Sequence, residues 1–365
     1  MKISNKDVFI FILAGGKGTR FWPLSRKDQP KQFLKIFNNK SMLQITYKRC
    51  SLFTDKKNIF IVTSIDQDKD IKKQIPTIKH SNILIEPQAR GTTAAIALSA
   101  AKAKLQSNES VMVVIPADQY IYHERKFVKN IKSAILEAGK SHQLATIGIK
   151  PTFAATGYGY MKFSRSKKDV HNKSYKIDKF IEKPTLSKAK RYIKSPDYYF
   201  NSGIFIWQTE VFLNELKKFM PQHYKASLNY INANKSKAKI RLADNFYKKL
   251  ATTSIDYGLM QKTNKIIGVI ADFGWSDLGS LKSFEEIDLK HINGNIVINT
   301  LHLGNETENS IIYGQSDKLI ATLGMDNIII IQTDDATLIA KKDNIQNVKK
   351  LVTRISKDKK LKRYI

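Results

Sequence analysis

A short apolar stretch that runs directly into a glycine-rich segment constrains the fold of this chain more than any other feature. Val8–Leu13 is a predicted β-strand, and the glycine loop (residues 15–19, GGKGT) follows it after one alanine. Glycines let the backbone approach an anion closely, and successive N–H groups form a concavity that binds anions. Two known phosphate loops are excluded. A Walker loop needs Lys followed by Ser or Thr, whereas Lys17 is followed by Gly18, and the dinucleotide fingerprint needs a third glycine where Phe21 stands. The segment therefore predicts a phosphate site of another kind.

Short apolar runs alternate with amphipathic stretches along the first two-thirds of the chain. The alternation predicts a mostly parallel sheet covered by helices on both faces, whose ligands bind beyond the carboxyl ends of the strands. The strongest helix prediction is 92–105, which is dense in Ala and Leu. The other predicted strands are 58–63, 82–85, 111–115, 144–149, 176–181 and 204–207, and the other helices are 42–51, 127–138, 187–195 and 210–219.

The sequence pattern changes after about residue 288. From Gly294 onward, short β-rich runs alternate with turn residues, and the next predicted helix is 344–354. This pattern predicts a separate all-β domain of repeated short strands, either a solenoid or a β-helix. The runs are too irregular to define a fixed repeat length.

The chain is strongly basic, with 62 Lys and Arg against 32 Asp and Glu and a net charge of +30. These residues are spread along the whole chain without a basic arm or zinc-finger spacing. We therefore expect no nucleic-acid partner, and we interpret the charge as an attraction for anionic substrates.

Cys50 is the single cysteine, which excludes an intramolecular disulfide. No segment reaches the roughly 18 apolar residues that span a membrane, so we expect a cytoplasmic protein without membrane contact.

Two carboxylates stand where a sheet would present them to phosphates. Asp118 follows the apolar strand 111–115, and Asp277 lies in the segment WSDLGS before a predicted helix. A carboxylate at the end of a strand can hold magnesium between phosphates, although each aspartate alone is also a common helix cap. The segment FIEKP (residues 180–184) ends another strand with an acid and a base. Side chains of successive strand residues point to opposite faces, so these two residues are predicted to have different roles, although an exposed surface pair is the more common explanation for such neighbours.

The stretch LAGGKGTRFWPLSR…PKQFL (residues 13–34) resembles the signature of sugar-nucleotide pyrophosphorylases. Its WPLSR and PKQFL segments are similar to those of mannose-1-phosphate guanylyltransferases in particular. The similarity continues in order through residues 86–96, 116–119, 156–161, 180–184, 201–205, 254–260, 275–280 and 318–341. It implies a Rossmann-like α/β nucleotidyltransferase domain with a mixed sheet over residues 1–289, followed by a small β-helix-like domain over residues 290–365.

The resemblance also implies an activity, in which GMP passes from GTP to α-D-mannose 1-phosphate and yields GDP-mannose and pyrophosphate. The attack would be in line and would depend on Mg²⁺ held by Asp118 and Asp277. The implied catalytic residues are Arg20 and Lys31, which would neutralise phosphate charge, and Lys183, which would orient the sugar phosphate. The implied nucleotide-binding residues are Leu13, Ala14, Gly15, Gly16, Gly18, Thr19, Glu86, Arg90 and Thr92, and the implied sugar-binding residues are Gly159, Glu182 and Asn201. A homodimer is a further option.

Three positions depart from the pattern of this family. Ala89 stands where glycine is usual, Gly91 where asparagine is usual, and Gln261 where glutamate is usual; in addition, residues 93–95 lack the proline that is usual there. The first two lie in the loop that would contact the nucleoside, where Glu86 could accept hydrogen bonds from guanine N1–H and its amino group. Two alternatives therefore stay open: transfer with another sugar or base, and a catalytically silent regulatory paralogue that binds a sugar nucleotide. Only about 75 residues follow the predicted catalytic domain, so we expect no fused isomerase.

Overall fold

The computed structural model describes residues 5–16, 18–36, 39–164, 174–233, 237–286, 291–292, 294–315 and 318–365. The chain divides into two compact units. Unit 1 comprises Met1–Gly15, Gln44–Ala117 and Ile121–Trp275, and unit 2 comprises Gly16–Leu43, Asp118–Tyr120 and Ser276–Ile365. The predicted boundary between residues 289 and 290 lies outside the described residues and stays a prediction.

Unit 1 is built on a nine-stranded sheet. Its strands are β1 (Val8–Leu13), β2 (Ile59–Ser64), β3 (Ile83–Glu86), β4 (Val111–Pro116), β6 (Leu144–Ile149), β7 (Tyr160–Phe163), β8 (Tyr175–Ile181), β9 (Tyr198–Gln208) and β10 (Ile266–Ala271), while the two-residue strands β5 (Tyr120–Ile121) and β11 (Trp275–Ser276) pair with each other. The strand order is β3-β2-β1-β4-β9-β6-β10-β8-β7. The sheet is mixed rather than mostly parallel, because β9 runs antiparallel to both β4 and β6.

The apolar character of β1 follows from its place near the centre of the sheet. It pairs in parallel with β2 on one side and with β4 on the other. Its residues Val8–Ile12 are all buried, as expected of parallel strands that are covered on both faces. Cys50 is also buried, where it packs as a small apolar side chain.

Helices alternate with strands along most of the sequence of unit 1. They are α1 (Met42–Cys50), α2 (Asp68–Gln74), α3 (Thr92–Gln106), α4 (Glu124–Ser141), α5 (Leu186–Lys194), α6 (Thr209–Phe219), α7 (Pro221–Ala233) and α8 (Lys237–Lys248). The predicted helix at 92–105 is confirmed, and its alanines are buried along α3. Helices α7 and α8 are not predicted by the sequence pattern. Three of the buried residues of α7, Ala226, Ser227 and Ala233, have small side chains, which leaves a weak apolar periodicity.

The strands of unit 2 form the predicted β-helix-like arrangement. They are β12 (His291–Ile292), β13 (Asn295–Ile298), β14 (Leu301–Glu308), β15 (Ile311–Gly314), β16 (Leu319–Asp326), β17 (Ile328–Gln332) and β18 (Thr337–Lys341), and α9 (Val348–Lys357) follows them. The chain alternates between two sheets, because β13, β15 and β17 pair in one and β14 and β16 in the other. The register offset is 15 residues between β13 and β15 but 18 between β15 and β17, which explains the irregular repeat.

The segment after the glycine loop belongs to the core of unit 2. Phe21 and Trp22 are buried in the same apolar cluster as the strand residues of β13, β15 and β17. The Trp22 indole N–H donates to the carbonyl oxygen of Tyr364 at 2.7 Å. Arg26 forms a two-point ion pair with Asp335 at 2.8 and 2.5 Å. These contacts hold the segment that carries the predicted phosphate-binding residues.

In the part of the chain that the structure describes, no helix combines the length and the apolar character needed to cross a membrane.

Candidate active site

The glycine loop begins where β1 ends. Ala14 is buried, and its N–H donates to the carbonyl oxygen of Val62 at 2.8 Å. Gly15 and Gly16 are exposed, and Lys17 lies outside the described residues. Gly18 has a φ of +62°, and a Cβ on it would lie 2.5 Å from the Cβ of Lys31. A glycine at this position is therefore what allows the loop to lie against Lys31.

Within unit 2, three of the predicted site residues form a lysine–aspartate cluster: Lys31, Asp118 and Asp277. The Nζ atom of Lys31 lies 2.8 Å from Oδ2 of Asp118 and donates to the main-chain carbonyl of Asp277 at 2.7 Å. The lysine is only 6% exposed, and its ammonium lies 5.3 Å from the centre of the Phe21 ring. Lys31 is therefore a buried cation that is paired with the strand-end carboxylate predicted from the sequence.

The residues around Asp277 fix its carboxylate. Its Oδ1 accepts a hydrogen bond from the N–H of Gly279 at 2.8 Å. A Cβ on Gly279 would lie 3.0 Å from the same oxygen, and Leu278 between them has a φ of +46°. The tight turn presents one carboxylate oxygen to its own backbone, as in a helix cap. This geometry is that of a capping carboxylate, and the metal-binding role of Asp277 stays a prediction.

The lysine–aspartate cluster fits a hard divalent cation in its chemistry. The Asp118 carboxylate is already ion-paired with Lys31, and its side chain is 39% exposed. Carboxylate oxygens suit Mg²⁺, which usually binds one or two carboxylates and completes its shell with water and substrate phosphates. Among the described residues, no group of three His, Cys, Asp or Glu side chains could hold a metal ion. The aspartate pair would thus depend on the phosphates for the remaining ligands.

The other predicted phosphate-binding residues are more exposed. Thr19 and Arg20 lie in the short helical turn Thr19–Phe21, and Arg20 is exposed. The structure brings Gly18, Lys31, Asp118 and Asp277 together but leaves the Arg20 side chain on the surface of unit 2.

Within unit 1, a second group of polar residues forms the Glu182–Asp256 cluster: Gly159, Glu182, Asn201 and Asp256. A Cβ on Gly159 would lie 2.6 Å from Oε2 of Glu182 and 3.3 Å from the Cβ of Asn201. The Asn201 amide nitrogen donates to Oδ1 of Asp256 at 3.0 Å. The Glu182 carboxylate and the Asn201 amide therefore lie beside a glycine, and Asp256 bonds to that amide.

Asp256 is a functional candidate that the sequence analysis missed as a site residue. Burial, followed by the nearby charge of Glu182, raises the pKa of Asp256 to about 6. Its hydrogen bond also fixes the amide orientation of Asn201, whose oxygen accepts from Thr146 at 3.2 Å and from the N–H of Gly203 at 3.1 Å. The signal was present in the segment DYGLM (residues 256–260), which carries the family resemblance. Its distance of 55 residues from Asn201 in sequence hid the contact.

Lys183 and Glu182 do not alternate across a strand as the sequence suggested. β8 ends at Ile181, and Lys183 has a φ of +47°. This conformation brings Nζ of Lys183 within 3.0 Å of Oε1 of Glu182. The two still differ in environment, because the Glu182 side chain is 8% exposed and that of Lys183 is 53% exposed.

Glu86 ends β3 and is buried. Its Oε1 accepts a hydrogen bond from the Tyr247 hydroxyl at 2.7 Å. Burial raises the pKa of the Glu86 carboxyl to about 7, although the hydrogen bonds from Tyr247 and from the Arg90 backbone lower it in part. A Cβ on Gly15 would lie 3.5 Å from Oε2 of Glu86. The predicted base-reading carboxylate therefore lies beside the start of the glycine loop.

The loop that follows Glu86 is tied to neighbouring backbone. The guanidinium of Arg90 donates to the carbonyl of Lys248 and, at 2.9 Å, to Oε1 of Gln88. The Thr92 hydroxyl accepts from the N–H of Ile255 at 2.9 Å. Both side chains thus have a positioning role in the structure, besides the nucleotide contacts that the resemblance implies.

The comparisons with known proteins agree with this arrangement. The Nucleotidyl transferase family matches residues 10–293, and the MannoseP isomerase/GMP-like beta-helix domain matches residues 301–355. A mannose-1-phosphate guanylyltransferase from Escherichia coli is 37% identical over 350 residues, which cover 93% of this chain and 74% of that protein. Mannose-1-phosphate guanylyltransferase RfbM from Salmonella typhimurium (strain LT2) is 36% identical over 93% of this chain and 71% of its own length.

A solved structure supports the fold independently. The crystal structure described as mannose-1-phosphate geranyltransferase from Thermus thermophilus has a TM-score of 0.86 and 27% identity. The match covers 96% of this chain and 99% of that one. The predicted fold class, a mixed-sheet nucleotidyltransferase domain with a β-helix-like domain, is confirmed. The chain belongs to the mannose-1-phosphate guanylyltransferase family of nucleotidyltransferases.

Proposed function

We propose that the protein transfers the GMP group of GTP to α-D-mannose 1-phosphate, forming GDP-mannose and releasing pyrophosphate. The observation that carries this proposal is the lysine–aspartate cluster, in which the buried Lys31 ammonium lies 2.8 Å from the Asp118 carboxylate and donates to the main-chain carbonyl of Asp277 at 2.7 Å. Such a cluster suits a reaction in which phosphate charge is neutralised. The names of the related proteins support the sugar and the nucleotide.

The reaction needs no covalent intermediate with the protein. An oxygen of the sugar phosphate forms a bond to the α-phosphorus of GTP, and the bond from that phosphorus to the pyrophosphate oxygen breaks on the opposite side. Catalysis then consists of positioning and of neutralising negative charge. Lys31 and Arg20 would neutralise charge on the triphosphate and on the leaving pyrophosphate, while Lys183 would orient the sugar phosphate.

Asp118 and Asp277 would hold the Mg²⁺ ion. When bound, the ion supplies further positive charge against the phosphate oxygens. The Gly279 N–H would hold the Asp277 carboxylate in one orientation through its hydrogen bond to Oδ1. Lys31 would keep Asp118 in place through its ion pair.

The Glu182–Asp256 cluster would bind the sugar. Its carboxylates and the Asn201 amide offer the acceptors and donors that hydroxyl groups need. Gly159 would keep space open beside Glu182. A homodimer, a cytoplasmic location and the absence of a nucleic-acid partner stay predictions from the sequence.

Replacing Gly159 with alanine tests this sugar site. The added methyl would lie 2.6 Å from Oε2 of Glu182, so the carboxylate has to move. We expect the KM for mannose 1-phosphate to rise by about tenfold or more, since displacements of about 1 Å in a site are costly, while the KM for GTP changes little. Gly157→Ala is the matched control, because a Cβ there meets nothing within 4 Å. Equal KM values in the two variants would contradict the assignment.

Pyrophosphate release tests the proposed function itself. Each of the four common ribonucleoside triphosphates is paired with mannose 1-phosphate and then with glucose 1-phosphate in the presence of Mg²⁺. We expect release only from GTP with mannose 1-phosphate. Release with another pair would keep the mechanism and change the specificity. A folded protein that binds GTP but releases nothing with any pair would instead be a regulatory binding protein.

A further inference from the structure

Tyr247 holds one side of the Glu86 carboxyl from a helix that is far away in sequence. Its hydroxyl donates to Oε1 of Glu86 at 2.7 Å, and the tyrosine is 1% exposed. The other carboxyl oxygen, Oε2, is the one that lies near Gly15 at the start of the glycine loop. The two oxygens of Glu86 therefore have separate surroundings, one toward α8 and one toward the loop.

The packing around Tyr247 makes it a rigid donor. It is buried with Ala94 and Leu98 of α3, Ala226 of α7 and Leu250 in one apolar cluster. Burial and the nearby Glu86 raise the pKa of the Tyr247 hydroxyl, so the hydroxyl keeps its proton and donates a hydrogen bond to the carboxylate. A donor held in this packing keeps Oε1 of Glu86 in place.

We propose that Tyr247 is a positioning residue for base recognition, which fixes the Glu86 carboxylate so that Oε2 is directed at the nucleotide base. This inference rests on the proposed function, in which Glu86 accepts hydrogen bonds from guanine N1–H and from the amino group. A carboxylate that is free to rotate would meet these two donors less often in the right geometry. Tyr247 acts only through Glu86 and touches no substrate.

The charge state of Glu86 makes this contact measurable. The groups that bond to the carboxyl are the Tyr247 hydroxyl and the Arg90 backbone N–H. Tyr230 of α7 is near enough for the charge of Glu86 to affect it, but its hydroxyl donates to Asp244. The pKa of Glu86 is raised to about 7, so its charged form is lost as the pH falls through neutrality. A protonated carboxyl accepts less well, and the KM for GTP should therefore rise on the acidic side. Removing the Tyr247 donor raises this pKa further and moves that rise to higher pH.

The experiment compares Tyr247→Phe with the wild-type protein and with Tyr230→Phe. Tyr230 is the matched control, because its hydroxyl donates to Asp244 at 2.7 Å in the same region. Initial rates are measured from pH 5.5 to 9 with GTP and with ITP, which lacks the amino group of guanine. For Tyr247→Phe we expect a KM for GTP about tenfold higher, a similar kcat and a smaller preference for GTP over ITP. The rise in the KM for GTP on the acidic side, here called the acidic limb, should begin at higher pH. Tyr230→Phe should retain the wild-type pH dependence of the KM for GTP and the wild-type preference for GTP over ITP.

A purely structural role for Tyr247 would lower the Tm of the variant without moving the pH limb or the GTP preference, and that result would overturn the proposal. If Tyr247→Phe does not fold, 3-fluorotyrosine at position 247 keeps the packing and strengthens the donor. The acidic limb should then move to lower pH, and an unchanged limb would overturn the proposal. Calorimetric titration with GTP and ITP gives the same comparison without turnover. A wild-type protein that binds GTP in this pH-dependent way but transfers nothing would contradict the proposed function and leave the positioning role supported.

Discussion

Replacing Lys31 with alanine is expected to lower kcat at saturating GTP and mannose 1-phosphate by about 10²–10³-fold, the usual loss when one preorganised stabilising group is removed. The side chain is buried and its ammonium is held by Asp118 and by the Asp277 carbonyl, so its charge is already in place before the substrates arrive. Water that fills the space cannot supply a fixed positive charge against the leaving pyrophosphate. Saturation kinetics of pyrophosphate release measure the loss directly.

The same variant also removes packing, and a second variant separates the two effects. Lys31→Ala leaves the Asp118 carboxylate without its partner and opens space beside the Phe21 ring, which we expect to cost about 1–3 kcal/mol of unfolding free energy. Lys31→Met keeps the length and the apolar stem but removes the charge. Both variants should lose turnover to a similar extent, while Lys31→Met remains closer to the wild type in Tm. A folded Lys31→Ala protein with unchanged turnover would remove the catalytic role.

Much of the fold could be predicted because local patterns determine it. The strand β1 is apolar throughout because it is buried on both faces of the sheet, and the alanine-rich α3 has a pattern that few other elements share. The position of β9 could not be predicted, because its antiparallel insertion between β4 and β6 depends on pairings between distant segments. The β-helix period was hidden by its change from 15 to 18 residues.

The candidate site divides in the same way. Motifs pointed to Asp118, Asp277 and Lys31 one by one, and the structure adds that a single ammonium contacts the Asp118 carboxylate and the main-chain carbonyl of Asp277. Asp256 and Tyr247 could not be connected to Asn201 and Glu86 from the sequence, because 55 and 161 residues separate the partners. Residue types can predict a chemistry, whereas the partners that orient them come from the folded chain.

Gly91 shows how a departure from a family pattern can have a local structural reason. Its φ of 81° and ψ of 173° fall in a region that is essentially restricted to glycine. A Cβ there would clash with the Thr253 carbonyl oxygen. The N–H of Thr253 donates to the carbonyl of Arg90 at 3.2 Å, which keeps the two segments together. An asparagine would not fit this loop, so the glycine belongs with its neighbour Thr253.

Replacing Asp277 with alanine is expected to abolish Mg²⁺-dependent turnover, with a loss of about 10³-fold or more, because charge neutralisation by a metal ion is worth several kcal/mol in the transition state. The Asp277 carboxylate is one of only two that we assign to the ion, so the remaining Asp118 would bind it weakly. Turnover is measured as a function of Mg²⁺ concentration, and Mn²⁺ affinity in the presence of GTP is measured by electron paramagnetic resonance. The second measurement does not depend on activity.

Asp277→Asn separates metal binding from the shape of the turn. The amide oxygen can still accept from the Gly279 N–H, which now bonds to Oδ1 at 2.8 Å, so the turn should survive while the charge is lost. We expect this variant to match Asp277→Ala in its loss of Mn²⁺ affinity but to keep a Tm close to that of the wild type. Asp272→Asn is the control for charge alone, because Asp272 is an exposed aspartate paired with Lys126 at 3.0 Å and should keep full turnover. If Asp277→Asn retained the wild-type Mg²⁺ dependence, the carboxylate would serve the turn and another group would have to hold the ion.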